Sequence, residues 1–126
     1  MNPFANDLVN GWDRLTLFAP AARAAAANGT GVDCAAYEGP MYAAVDYGVL
    51  TDGTYLFSLE ESVDDSTYTA ITPLVGAFAT ISASTGKQEV MFKRSKRYVR
   101  GVIAEPSNGS TGLVCSMTLM GRKKNF

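Results

Sequence analysis

The acidic side chains of one short segment are the first candidates for chemistry in this chain. Glu60, Glu61, Asp64 and Asp65 lie within six consecutive positions. Carboxylate oxygens at such close spacing can bind calcium, and a pair of carboxylates can serve as the acid and the base of a glycosidase. The EF-hand spacing is absent, however, and adjacent residues do not define a catalytic pair. The segment is better explained as a strand end that runs into a polar turn.

The other residue types that usually carry catalysis are missing or badly spaced. The 126-residue chain contains no histidine, which removes the commonest general base and the nucleophile pairs that depend on it. It also lacks a glycine-rich phosphate-binding motif. Cys34 and Cys115 form no CxxC motif, and without a secretion signal we expect two reduced, buried thiols. The sequence therefore predicts a protein that is not an enzyme and that has no metal or other cofactor.

A basic segment, FKRSKRYVRGVI at positions 92–103, is the second candidate site. On a strand, each face of this segment begins with a cation and ends with apolar residues, which suits a strand that enters a sandwich from its solvated end. Nucleic-acid binding favours a basic excess and interleaved aromatic residues, whereas the net charge is −1. We therefore expect the basic segment to meet an acidic surface, and a nucleic-acid role is the weaker hypothesis.

Charge is distributed unevenly along the chain. Residues 1–65 hold ten acidic groups and two basic ones, whereas the chain from Gly86 onward holds nine basic groups and two acidic ones. These charges can neutralise one another inside one fold or between copies in an assembly. If strand 54–62 lies beside the basic segment, Glu60 or Glu61 is expected to pair with Arg97 or Arg100.

The elements that must position these residues are mostly short strands. Period-two alternation and turn signals such as Asp52-Gly53 recur about every ten residues, which predicts an all-β fold. We expect an antiparallel, jelly-roll-like β-sandwich of seven or eight strands with one core. The expected strands cover residues 41–50, 54–62, 66–71, 76–84, 87–94, 96–104 and 111–121.

The two termini are expected to form arms. Phe4, Leu8, Trp12 and Leu15 recur at the spacing of one face of a short helix, which would dock on its own domain or on a neighbouring copy. The alanine-rich segment 19–31 contains Pro20 and is expected to be an irregular connection. We divide the chain into an N-terminal arm, helical or extended, at 1–14, a single domain at 15–121 and a basic tail at 122–126. No apolar run is long enough for a membrane span.

One strand pair resembles a known carbohydrate-binding fold. The segments FSLEESVDDSTYTAI and KRYVRGVI are similar to a strand pair of discoidin-like, galactose-binding jelly rolls, although the turn lacks the glycine of that pattern. The resemblance implies a jelly roll. It also keeps a carbohydrate-binding module as an alternative, to which several aromatic residues would contribute: Trp12, Tyr37, Tyr42, Tyr47 and Tyr55.

A wider arrangement, from about Gly29 to Leu119, resembles small virion structural proteins of tailed bacteriophages. The motifs that carry this resemblance are Val32-Asp33, Tyr37-Glu38, Thr51-Asp52-Gly53, Leu59-Glu60-Glu61-Ser62 and Lys96-Arg97-Tyr98-Val99-Arg100. The resemblance implies a capsid decoration or cement protein that contacts the major capsid protein and neighbouring copies, or a protein of the head-to-tail junction. Such a protein would be located in the virion, after assembly in the host cytoplasm.

An assembly role makes the arms and the basic segment the expected contact regions of a homo-oligomer. Their apolar side chains can be buried on a neighbour, and their cations can meet its acidic groups. The expected interface residues are Phe4, Leu8, Trp12, Lys93, Arg94, Lys96, Arg97, Arg122, Lys123, Lys124 and Phe126.

Overall fold

A computed structural model of the chain describes residues 10–72 and 74–124. Apart from the helical residues Asn10 and Gly11, the regular elements of this part of the chain are strands, and several of them are only two residues long. In chain order they are β1 (Trp12–Arg23), β2 (Ala27–Asn28), β3 (Val32–Asp33), β4 (Tyr37–Leu50), β5 (Thr54–Ser62), β6 (Thr69–Ala70), β7 (Leu74–Val75), β8 (Gly86–Phe92), β9 (Tyr98–Ser107) and β10 (Leu113–Lys123).

The strands form two sheets in which the pairings are antiparallel. The first sheet has the order β1-β10-β4-β8-β7, and the second has the order β2-β9-β5-β6, with β3 also paired to β9. The predicted antiparallel β-sandwich is therefore confirmed. Among the described residues there is no helix long and apolar enough to cross a membrane.

The core lies between the two sheets and follows from period-two alternation. Alternate side chains of β5, β10, the first half of β9 and the middle of β4 point inward and are almost fully buried, including Val45 on β4, Phe57 on β5 and Met117 on β10. Phe18 of the first sheet meets Phe57 of the second edge to face, with ring centroids 6.2 Å apart. Gly101 lets the sheets approach, because a Cβ at this position would lie 2.7 Å from the Met117 sulfur.

The N-terminal part of the sandwich differs from the sequence prediction. β1 continues through Pro20 to Arg23, where an irregular connection was expected, and it pairs with β10 along this length. Pro20 is tolerated because β1 is an edge strand and the register shifts between Phe18 and Ala21, so the missing N–H leaves no ladder hydrogen bond unmade. The expected helical stripe is also wrong for Trp12 and Leu15, which lie on this strand.

Most of the other expected strands are present, but two are much shorter than predicted. The segment 66–71 contributes only β6, and within 76–84 only Ile81 pairs, through a bridge to Tyr55 with N–O distances of 2.7 and 3.2 Å. The region around 76–84 is rich in Ala, Ser and Thr, so it offers few side chains for burial. The Asp52-Gly53 turn is confirmed, with Gly53 at a φ of 78°.

Candidate interaction surface

The four clustered carboxylates have separate partners within the fold. Glu60 accepts hydrogen bonds from the Arg100 guanidinium at 2.6 and 2.9 Å. Glu61 is only 6% exposed and accepts hydrogen bonds from the Ser95 backbone N–H and hydroxyl. Asp64 closes the polar turn by accepting hydrogen bonds from the backbone N–H groups of residues 67 and 66, and these hydrogen bonds lower its pKa. Among the described residues, no cluster of three or more His, Cys, Asp or Glu could hold a metal ion.

The two cysteines are free thiols in the interior. Cys34 has no solvent exposure and Cys115 is 3% exposed. Burial raises the pKa of Cys34 to about 11 and also raises that of Cys115, so both thiols stay protonated at neutral pH and react slowly. The prediction of reduced, buried cysteines is confirmed.

The basic segment is tied into the fold mainly through Arg94. Its half-buried guanidinium donates hydrogen bonds to the backbone carbonyls of Cys34 at 2.6 Å, Tyr37 at 2.8 Å and Lys96 at 3.0 Å. Arg94 thereby joins the connection between β8 and β9 to the connection between β3 and β4. Lys93 is exposed, whereas Arg94 is half-buried.

The uneven charge along the chain is partly neutralised inside the domain. Three ion pairs join the acidic first half to the basic last third, with N–O distances of 2.7, 2.6 and 3.4 Å: Arg97–Asp33, Arg100–Glu60 and Lys123–Asp13. The pKa of Asp33 is lowered to about 2, mainly by the hydrogen bonds that its carboxylate accepts from Arg97. The pairing of Glu60 with Arg100 is confirmed, whereas Glu61 binds Ser95 instead of a cation.

The remaining interface candidates occupy different positions. Lys96 donates a hydrogen bond from its ammonium group to the Thr69 hydroxyl at 2.8 Å, and Lys124 is exposed at the end of the described chain. Trp12 and Arg122 are brought together, because they are register partners on β1 and β10. Three of the candidates lie outside the described residues: Phe4, Leu8 and Phe126.

Trp12 and Arg122 line a groove on the outer side of the first sheet. The groove has a volume of about 430 Å³, and its other lining residues are Glu38, Gly39, Pro40 and Met91. It forms where the register between β10 and β4 shifts, at Gly39 with a φ of 72° and the adjacent Pro40. A second groove of about 280 Å³ adjoins it and is lined by Pro40, Val75, Met91, Phe92 and Lys93.

The outer side of the first sheet is called here the open face. Its side chains lie in four rows, which follow from the strand register. Apolar side chains dominate the first row and the fourth, and polar ones the second and third. The first row contains Met120, Tyr42 and Met91, with Arg14 and Val75 at its ends; the second contains Thr16, Thr118, Ala44 and Glu89; the third contains Ser116, Asp46 and Lys87; the fourth contains Ala22, Val114 and Gly48.

The outer side of the second sheet, called here the closed face, is covered by the protein's own side chains. The guanidinium of Arg100 lies 4.0 Å from the centre of the Tyr68 ring and also pairs with Glu60. Small side chains such as Ser58 and Ala104 accompany Val102 on the neighbouring positions of β5 and β9. The closed face therefore satisfies its charged groups without a partner.

Sequence reasoning missed Pro40, Val75 and Met91 as surface residues, although the sequence held a signal for Met91. Val90, Met91 and Phe92 are three consecutive apolar residues in a strand, and alternation requires one or two of them to point outward. Val90 and Phe92 are buried, whereas Met91 is 46% exposed. No such signal marks Pro40 or Val75, because their exposure depends on which strands become neighbours.

Comparisons with known proteins give structural likeness but no sequence match. No protein-family model matches the chain, and no curated protein is significantly similar to it in sequence. Among solved structures, the chain is similar to the crystal structure of SPBc2 prophage-derived protein YomS. The two share 12% identity over 87% of this chain and 93% of that chain, with a TM-score of 0.49. These values assign neither a family nor a function to the chain.

Proposed function

We propose that this protein is a non-enzymatic structural subunit of a bacteriophage virion, of the capsid decoration or cement type. In this role it stabilises the head by binding the major capsid protein and neighbouring copies of itself. The resemblance of residues 29–119 to small tailed-phage virion proteins is the starting point. The open face is the observation that carries the proposal, because it is a broad surface suited to contacts with other subunits.

The exposed apolar side chains of the described residues are concentrated on the first sheet. Of five large apolar residues with high exposure, four belong to its strands: Val49 at 60%, Val75 at 73%, Met91 at 46% and Val114 at 46%. Single exposed apolar residues are common on soluble proteins, but their concentration on one sheet is typical of a binding surface. We therefore assign the contacts with other virion subunits to this sheet.

The side chains that could carry chemistry support a structural role. Glu61 holds the turn at Ser95, Arg94 holds three backbone carbonyls, and the two thiols are buried. These groups contribute to stability in their present positions, and none of them lines either groove. The grooves beside Trp12 and Met91 instead have walls with few titratable groups, which suits burial of a partner's apolar side chains.

The test is the composition of purified phage particles. We expect the protein to be an integral component of the particle, detected by mass spectrometry and quantified against the major capsid protein. Finding it only in the soluble fraction of the host lysate would contradict the proposal. A copy number in the hundreds supports the decoration role, whereas roughly a dozen copies, as expected for a closed ring, would indicate a protein of the head-to-tail junction.

A further inference from the structure

We propose that two copies of this chain form a dimer in which their open faces pack against each other. The two-fold axis of this dimer runs across the strands, between the second and third rows. The proposal deepens the proposed function, because it names the surface through which neighbouring copies meet. It can be tested on the purified protein alone, so its failure is distinguishable from the absence of the protein from virions.

The two-fold axis fixes which rows meet. Rotation about an axis perpendicular to the strands keeps each strand opposite its own counterpart but reverses its direction. The second row of one copy then faces the third row of its partner, and the first row faces the fourth. Glu89 on β8 consequently faces the partner's Lys87, and the partner's Glu89 faces Lys87.

Charge complementarity favours this arrangement over the alternative rotation. Lys87 and Glu89 form an exposed ion pair at 3.1 Å, with side chains 71% and 41% exposed. In the stacked pair these four charges alternate in sign, so each carboxylate gains a second cation. Rotation about an axis along the strands would instead set β8 against β1 and would place Glu89 opposite the partner's Thr16. Only the first arrangement brings opposite charges together.

The outer rows are complementary in shape as well as in polarity. Met120 faces the partner's Val114, and Tyr42 faces the partner's Gly48. A Cβ added at Gly48 would contact only Val114, at 3.9 Å, so the partner's Tyr42 ring has room above this glycine. Between them, Thr118 faces the partner's Ser116 and Ala44 faces the partner's Asp46. These small side chains let two sheets stack at about 10 Å.

The size of the open face predicts a weak association. Strands about 5 Å apart and rows about 7 Å apart give four strands and four rows an area on the order of 500–600 Å² per copy. A stable interface buries about 800 Å² per partner. We therefore expect a dimer with a Kd of about 10–1,000 μM. Many such contacts in a lattice would add up to a stable assembly.

Charge reversal tests the arrangement directly. Glu89→Lys sets two lysines against each other across the axis, and Lys87→Glu sets two glutamates against each other. The double variant K87E/E89K restores opposite charges in the reversed order. Sedimentation velocity over a concentration series at low salt should show dimerisation of the wild type, at least tenfold weaker dimerisation of each single variant, and recovery in the double variant.

A matched control separates this effect from a general change of charge. Ala104→Lys adds a cation at an exposed position of the closed face, and this variant should dimerise like the wild type. Circular dichroism melts identify any variant that fails to fold, and either single variant together with the double variant is sufficient for the test. A wild type that stays monomeric at millimolar concentration would overturn the proposal. Single variants that dimerise normally, or a double variant that is no better than the singles, would do so as well.

Discussion

The two outer faces of the sandwich are built from the same kind of strand but treat their side chains differently. On the closed face, Glu60 and Arg100 are opposite one another on β5 and β9, and Tyr68 covers the guanidinium. On the open face, Tyr42, Met91 and Val75 follow one another across three strands. The closed face is complete within one chain. The open face leaves apolar area that another subunit can bury.

The difference separates the strongest charge pattern of the chain from the surface that we propose for contacts with other subunits. The basic segment attracts attention in the sequence, yet Arg94, Arg97 and Arg100 serve the fold through carbonyl groups and carboxylates. The apolar residues of the open face have no conspicuous sequence motif. A surface can therefore bind a partner even though the strongest charge pattern in the chain lies elsewhere.

Loss of Arg94 is expected to have the largest effect on stability. Arg94→Ala removes the half-buried donor of three carbonyls and leaves these acceptors without their charged partner. The free energy of unfolding should fall by about 2–4 kcal/mol, measured by urea denaturation. The matched control is Lys93→Ala, at an exposed neighbouring position, which should change stability by less than about 0.5 kcal/mol. Equal effects of the two variants would show that Arg94 does not hold the loops.

Acidification is expected to weaken the fold through carboxylates whose pKa is depressed. Arg97 lowers the pKa of Asp33 to about 2, and the backbone N–H groups of residues 110–112 lower that of Asp52 to about 2, both from 3.8. Because the two carboxylates are harder to protonate in the folded state, their ionised forms stabilise the fold. This stabilisation is complete above about pH 4 and is lost as the pH falls towards 2.

Thermal melts between pH 5 and pH 2 check this expectation. The melting temperature of the wild type should drop across the window. Asp52→Asn should be less stable at neutral pH and should lose less on acidification, because it lacks one of the titrating groups. A variant with the same pH dependence as the wild type would exclude Asp52 as a contributor.

One ion pair on each face offers a direct comparison of the two faces. Glu60–Arg100 on the closed face has side chains 27% and 21% exposed, whereas Glu89–Lys87 on the open face has side chains 41% and 71% exposed. Double-mutant cycles to alanine should give a coupling of about 0.5–1 kcal/mol for the first pair and about 0–0.5 kcal/mol for the second. A reversed order would mean that solvent exposure does not set their strength.

The apolar side chains of the open face are expected to contribute little to stability. Replacing Tyr42 and Met91 by serine should change the free energy of unfolding by less than about 1 kcal/mol in total, because both side chains lie on the outer side. The same double variant should show weaker self-association and poorer incorporation into particles. Strong destabilisation would instead indicate that these residues support the fold, and normal incorporation would remove the open face from the assembly.

Sequence reasoning recovered the parts of the fold that depend on local pattern. Alternation located β5, β8, β9 and β10, and the Asp52-Gly53 signal located a turn. It failed for β1, because Pro20 normally ends a strand and is accepted here only at a sheet edge. Three of the expected interface residues, Trp12, Lys93 and Arg122, line the grooves of the first sheet. Pro40 and Val75 were missed, since their exposure follows from long-range pairing.

By itself, the sequence determined the all-β class, the two buried thiols and the pairing of an acidic strand end with a basic one. These features follow from alternation and from the chemistry of single residues. Only the tertiary structure decided that the half-buried Arg94 binds three backbone carbonyls, and that β10, β4 and β8 lie side by side. Strand order is set by contacts between residues far apart in the chain, and the open face exists only once that order is established.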